Sequence, residues 1–241
     1  MTPRPPEAPP AQRRMIYGRR RGRPLRQGQQ QLLAALLPRL AVALPESGTL
    51  DPSGLFDPAP AQIWLEIGFG GGEHAAAQAM ARPEVGIIGC EVFETGIVKL
   101  LTQIERQKLA NIRILADDAR LLIAALPEAS VGRAFILFPD PWPKQRHHKR
   151  RMVSEATLAG LARIMTDGAE LRLATDDAGY LRWMLALVTR HRDFEWLARG
   201  PADWRTRPAD WPATRYERKA IAAGRRPAFL RLRRRPRAAA S

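Results

Sequence analysis

The sequence predicts an α/β fold: a mostly parallel sheet with helices on both faces, finished by an antiparallel pair of strands at one edge. Three observations predict it. From Gln62 onward, short apolar runs alternate with helix-forming stretches of eight to fifteen residues. The first of these runs ends in a glycine-rich loop that opens a helix. The last two runs, FEWLA (194–198) and PAFLRL (227–232), are joined by a long loop rich in Pro, Trp and Arg rather than by a helix.

The elements follow in order. Five prolines in the first ten positions and the absence of periodicity predict a disordered tail over 1–12. Residues 13–26, RRMIYGRRRGRPLR, are a basic arm with one aromatic, so 1–28 is expected to be a disordered Pro/Arg-rich segment. Residues 29–44 predict a helix interrupted at Pro38, and 45–61 a linker. One domain then runs to 235, counting the N-terminal helix from 29, with a short tail at 236–241. Its predicted strands are 63–67, 85–91, 111–115, 133–138 and 169–175. Helices are predicted over 73–81, 94–108, 119–126, 153–165 and 178–190. A loop as long as the one before 227 is usually functional in a compact domain.

Composition narrows the classes. The chain has 241 residues, is 45% hydrophobic, and contains no apolar run long enough to span a membrane. One cysteine, Cys90, excludes an internal disulfide framework and a cysteine-rich zinc site. The N-terminus has no apolar core like that of a secretory signal, which makes a reducing cytoplasm the expectation. The net charge of +15 is unevenly spread. Residues 1–31 carry +7, residues 144–151 carry +5 and residues 199–241 carry +10, leaving −7 for the rest. A mildly acidic body with a basic periphery points to a polyanionic partner.

The loop Glu66-Ile67-Gly68-Phe69-Gly70-Gly71-Gly72 sits between a predicted strand and a predicted helix. Glycines let a backbone turn sharply and approach a ligand closely. The dinucleotide fingerprint fails, because Glu73 stands at its last position, and no Walker lysine is present. A carboxylate just ahead of the first glycine repels a pyrophosphate but suits the cationic amino group of S-adenosylmethionine. Glu91 ends the second strand, where an acid accepts ribose hydroxyls, and Asp117 and Asp118 follow the third, near an adenine edge. Acids at the carboxyl ends of successive parallel strands converge on one crevice.

The fourth strand runs into Phe138-Pro139-Asp140-Pro141-Trp142-Pro143-Lys144. Three prolines fix φ and hold Asp140 and Trp142 in place, an arrangement able to orient a planar base. The basic run from Gln145 to Arg151 follows at once and is expected to meet phosphates. His147 and His148 lack a third ligand in sequence, so no metal is expected.

Taken together, EIGFGGGEH, GCEVFETGIVKLL, NIRILADDA, FILFPDPWPKQRHHKRR, LATDD and TRYERKA run in the order found in bacterial tRNA (guanine-N7-)-methyltransferases, and the chain resembles that family from about residue 62 to 232. Gly71 and Gln145 depart from the family's commonest residues. The resemblance implies a Rossmann-like seven-stranded sheet, mostly parallel with an antiparallel edge strand, of the S-adenosylmethionine-dependent methyltransferase kind. It implies methyl transfer from S-adenosylmethionine to N7 of guanosine at variable-loop position forty-six of tRNA. Cofactor-binding roles fall on Glu66, Gly68, Gly70, Gly72, Glu91, Asp118 and Asp140, and the catalytic role on Asp140. Asp118 is preferred to Asp117 because the motif places its acid directly before Ala119. Substrate contacts fall on Lys144, Asp176, Thr214, Arg215, Tyr216 and Glu217. The expected partner is tRNA, with no membrane and no obligatory protein partner, in a monomer or homodimer. The competing readings are a nucleic-acid amino-methyltransferase and a non-catalytic RNA-binding protein on the same fold.

Overall fold

The computed structural model describes residues 20–238. In chain order the elements are α1 (Gln27–Leu40), β1 (Gln62–Ile67), α2 (Glu73–Ala81), β2 (Val85–Cys90), α3 (Glu94–Gln107), β3 (Ile112–Leu115) and α4 (Ala119–Ala125). There follow β4 (Val131–Leu137), α5 (Glu155–Ile164), β5 (Met165–Thr175), α6 (Ala178–Val188), β6 (Phe194–Trp196), α7 (Ala202–Arg205), α8 (Arg215–Ala222) and β7 (Ala228–Arg234). The seven strands form one sheet in the order β3-β2-β1-β4-β5-β7-β6. The first five are parallel, and β7 pairs antiparallel with both β5 and β6. The reversed strand therefore lies just inside the sheet's last strand, β6. Order reverses between β1 and β4, the position at which a parallel sheet opens a crevice at its carboxyl ends.

The buried positions of β1 show how residues choose faces. All five residues from Ile63 to Ile67 are buried, as a strand covered on both sides must be. Leu65 and Ile67 point into one core layer with Leu122, Leu158, Leu161 and Tyr180 of α4–α6. Trp64 joins the opposite layer with Ala75, Leu100, Phe135 and Trp211.

Three expectations change. The first helix runs through Pro38 instead of breaking there. Proline in a helix interior costs about 3 kcal/mol, but only its last turn is affected, and Leu32, Leu33, Leu36, Leu37 and Leu40 dock the helix on the core. The long loop before β7 contains two helices, α7 and α8. The expected disorder over 1–28 does not extend to 20–28. There the Glu94 N–H donates to the Arg20 carbonyl at 2.9 Å, and Gly22 packs on the Phe93 ring. The first nineteen residues lie outside the described ones. In the tail, Arg237 donates to Glu128 at 2.7 Å and also binds Asp167.

Candidate active site

The glycine loop leaves β1 with φ of +72° at Gly68, +57° at Gly70 and +75° at Gly72. Side chains rarely adopt these values, so the three glycines are required by the path of the chain. Gly96 on α3 is required for a different reason: a Cβ there would stand 2.3 Å from the Gly70 carbonyl oxygen. The loop thus rests directly on the start of α3.

Glu66 alternates with Leu65 and Ile67, and its side chain falls on the α2 face of the sheet. It is 3% exposed, and its Oε2 lies 2.8 Å from His74 Nδ1. Glu91 closes the loop's other side. Its carboxylate accepts the N–H of Gly70 at 2.8 Å, of Val92 at 2.7 Å and of Phe93 at 2.9 Å. Burial pushes Glu91 above the usual carboxylate range; the three N–H donors oppose this, and the charge of Asp140 adds to it. Asp140 therefore faces Glu91 within electrostatic reach. Asp118 caps α4: its Oδ1 accepts the Arg120 N–H and its Oδ2 the Arg120 guanidinium, both at 2.9 Å. Asp117 meets Arg20 of the arm at 3.3 Å.

Gly68 divides the crevice. On one side lie Ile67, Glu91, Val92, Asp117, Asp118 and Met152. On the other lie Glu66, Glu73, His74, Phe138, Thr214 and Tyr216. The first half offers apolar walls for a purine and carboxylate acceptors for hydroxyl and amino donors; the second offers an anion for an ammonium. This donor set fits S-adenosylmethionine in both charge and hydrogen-bonding sense. Among the described residues no group of three His, Cys, Asp or Glu is placed to hold a metal ion.

The Pro-Asp-Pro-Trp loop is strapped as well as stiffened. Phe138 and Trp142 take φ of +52° and +43°, conformations uncommon outside glycine and maintained only by surrounding structure. The Phe138 N–H donates to the Ala174 carbonyl at 2.8 Å. Arg151 donates to the Pro141 carbonyl at 2.9 Å, with its guanidinium 5.0 Å from the Tyr180 ring and 4.9 Å from Trp183. Arg150 stacks on Trp142 at 4.8 Å. The expectation that the whole basic run meets phosphates is corrected at Arg151: it is 4% exposed and serves as the strap. Lys144, Arg146 and Lys149 are exposed, and so is Asp140.

The late loop folds back over the crevice. Trp211 is buried against Phe229 and His74. Arg172, buried in β5, binds Asp210 at 2.6 Å and Glu170 at 3.1 Å. Thr214 caps α8 by accepting the Glu217 N–H at 3.1 Å. Tyr216 then lies over Gly70, where a Cβ would meet its ring at 2.7 Å. Burial raises the Tyr216 hydroxyl above its ordinary value, as do Glu91, Asp140 and Glu73, which marks the same acidic neighbourhood. Arg215 is exposed.

Glu66, Gly68, Glu91, Asp118, Thr214 and Tyr216 line the two halves of the crevice, Gly70 lies between Glu91 and the Tyr216 ring, and Asp140 is within electrostatic reach of Glu91 and Tyr216. Glu217, 6% exposed, accepts from Arg207 at 3.0 Å, a pairing that ties the start of α8 to the late loop. Asp176 is paired with Arg225 at 2.6 Å. Sequence reasoning missed α8, although Thr214-x-x-Glu217 is a capping-box spacing and Gly224 follows the helix. It also missed His74, which carried no signal beyond its place on the first turn of α2.

A family model described as "Putative methyltransferase" matches residues 60–230. The "tRNA (guanine-N(7)-)-methyltransferase" of Rhodospirillum rubrum is 55% identical over 237 residues, 97% of this chain and 92% of that protein. The protein of the same name from Paramagnetospirillum magneticum is 49% identical over 229 residues, 94% of this chain and 95% of its own. Among solved structures, "16S rRNA Methyltranferase KamB" superimposes with a TM-score of 0.50 at 16% identity, over 73% of this chain and 89% of that one, a likeness of fold alone.

Proposed function

The chain belongs to the bacterial tRNA (guanine-N7-)-methyltransferase family, and we propose that its tRNA site is guanosine at variable-loop position forty-six. It is an S-adenosylmethionine-dependent methyltransferase with guanine N7 of tRNA as acceptor. One observation carries the reading of the site: a crevice that turns on the left-handed Gly68 is lined by Glu91, Asp117 and Asp118 and bordered by the cationic Arg120 and Arg150.

Within it, Glu66 takes the cosubstrate's amino group, Glu91 its ribose hydroxyls and Asp118 the adenine edge, with Gly68, Gly70 and Gly72 allowing the close approach. Bound there, S-adenosylmethionine supplies a methyl group already activated on a sulfonium. Guanine N7 carries an in-plane lone pair and no proton, so no residue has to act as a base. What remains for the protein is alignment, which is able to contribute roughly 7–11 kcal/mol, and stabilisation of the charge the purine acquires. Asp140 suits the second of these roles. It is exposed and within electrostatic reach of Glu91, and from there its carboxylate accepts from guanine N1–H and N2–H₂ and stabilises the developing positive charge. Lys144 and Arg215 meet phosphates, Tyr216 lies beside the base, Asp176 and Thr214 hold the approach, and Glu217 sets the loop that carries Tyr216.

No helix among the described residues is long and apolar enough to cross a membrane. Cytoplasmic tRNA, reached by a monomer or homodimer without another protein, completes the proposal. The test is incubation with methyl-labelled S-adenosylmethionine and unmodified tRNA, followed by nucleoside analysis. Label in 7-methylguanosine at position forty-six supports the reading; label in N6-methyladenosine, or none, overturns it.

A further inference from the structure

Glu66 does not stand alone. His74 lies edge-on to Phe135 at 4.6 Å between ring centres and presents Nδ1 to Glu66 at 2.8 Å. Its other nitrogen, Nε2, is 3.4 Å from Gln78 Nε2. The Gln78 amide is itself oriented, because it donates to the Asp210 carbonyl at 3.0 Å. Rotating the amide would set its oxygen against that carbonyl oxygen, so an N–H is what His74 Nε2 meets. A nitrogen facing a donor has to accept. The imidazole proton is thereby assigned to Nδ1, and the ring donates it to Glu66 as a neutral group. All three side chains are buried, with exposures of 3% for Glu66, 2% for His74 and 6% for Gln78.

The charge state of this relay matters to a cation. A neutral imidazole orients the carboxylate and leaves its full negative charge directed at the crevice. An imidazolium at the same distance would cancel that charge, and an incoming ammonium would meet a net-neutral pair. We propose that His74 is a positioning residue for recognition of the cosubstrate's amino group, and that Gln78 sets its tautomer so that Glu66 remains an uncompensated anion. The inference rests on the proposed placing of that amino group at Glu66. It also links the crevice to the late loop, since the residue that orients Gln78 is Asp210.

The test uses two ligands of the full-length protein. S-adenosylhomocysteine carries the amino group; 5′-methylthioadenosine lacks the whole amino-acid portion. Calorimetric affinities are measured for the wild type, His74→Phe and Gln78→Glu. Glu at 78 is close in shape to Gln but presents an acceptor to His74 Nε2 where Gln78 presents a donor. Both variants are expected to lose at least tenfold in affinity for S-adenosylhomocysteine and to keep methylthioadenosine affinity within about twofold. Equal losses for both ligands would reduce His74 to a packing residue and overturn the inference, as would no loss for either. If His74→Phe does not fold, Gln78→Glu decides alone. A wild type that binds neither ligand refutes the cosubstrate reading itself, a distinct outcome.

Discussion

The carboxylates of the crevice and those of the late-loop anchor are treated in opposite ways by the same sheet. In the anchor, Glu170 and Asp210 are met by arginines: Arg172 reaches both, and Arg231 reaches Glu170. Burial would raise Glu170, but Arg231 and Arg172 outweigh it and hold it below the usual carboxylate range. Asp210 is held low in the same manner, by Arg172 and Arg133 against burial. In the crevice, among the described residues, Glu66 has a histidine partner and Glu91 only backbone N–H groups, and Glu91 is raised instead of lowered. Among the described residues no ion pair holds Asp140. On the proposed reading of the site, the contrast separates structural acids from acids kept for a ligand: an arginine within reach neutralises the charge within the fold, and its absence leaves the charge for a cation that arrives later. Asp117 and Asp118 stand between the two groups: Asp117 meets Arg20, Asp118 caps α4 and pairs with Arg120, and both border the crevice.

The contrast is easiest to break at the anchor. Trp211→Ala removes a side chain 1% exposed and is expected to cost about 3–5 kcal/mol of stability, read from the denaturation midpoint. Hydrogen exchange is expected to rise first over 208–222. Loss of protection concentrated instead in β1–β4 would show that Trp211 supports the sheet and not the loop. Next in size is Asp140→Ala. If this acid stabilises the cationic purine, kcat falls by about 100-fold, far more than the affinity for S-adenosylhomocysteine. Equal falls in both would move Asp140 wholly to cosubstrate binding.

The smallest effect is a shift in pH dependence. Because Glu91 is raised, its charge is lost on acidification at a pH above the usual carboxylate range, and affinity for S-adenosylhomocysteine should decline from there downward. Asp140→Asn removes a like charge that contributes to the rise, so this acid limb should move to lower pH. An unmoved limb would mean that the two acids do not sense each other. The anchor behaves oppositely. Glu170 and Asp210 are lowered, so their contribution is complete above the ordinary carboxylate range and is lost only as pH falls through their depressed values.

Legibility in the sequence follows the same division. The glycine loop, its flanking strand and helix, and the acids at strand ends are local patterns, and the helix expected over 73–81 has the bounds of α2. The late loop is not legible, because what shapes it is distant in sequence: Asp210 on Arg172, Trp211 on His74 and Phe229, Arg225 on Asp176. Composition rich in Pro, Trp and Arg hides α8 behind a coil-like average, although its capping residues are present. Pro38 misleads for a related reason, since local backbone preference is overruled by the leucines that dock α1. Arg151 is the plainest case at the site: a basic run reads as solvated charge, and only the fold shows that its last member is buried as a strap.

The central claim is that an acidic crevice takes a cationic cosubstrate while a separate basic rim takes tRNA. It is tested most directly by measuring the affinities for S-adenosylhomocysteine and for tRNA side by side as salt is raised. The expected result is a drop in tRNA affinity of ~100-fold between 50 and 200 mM salt, as several phosphate contacts require, while S-adenosylhomocysteine affinity changes by no more than about threefold. A tRNA affinity that stays flat, or two affinities that fall together, would contradict it.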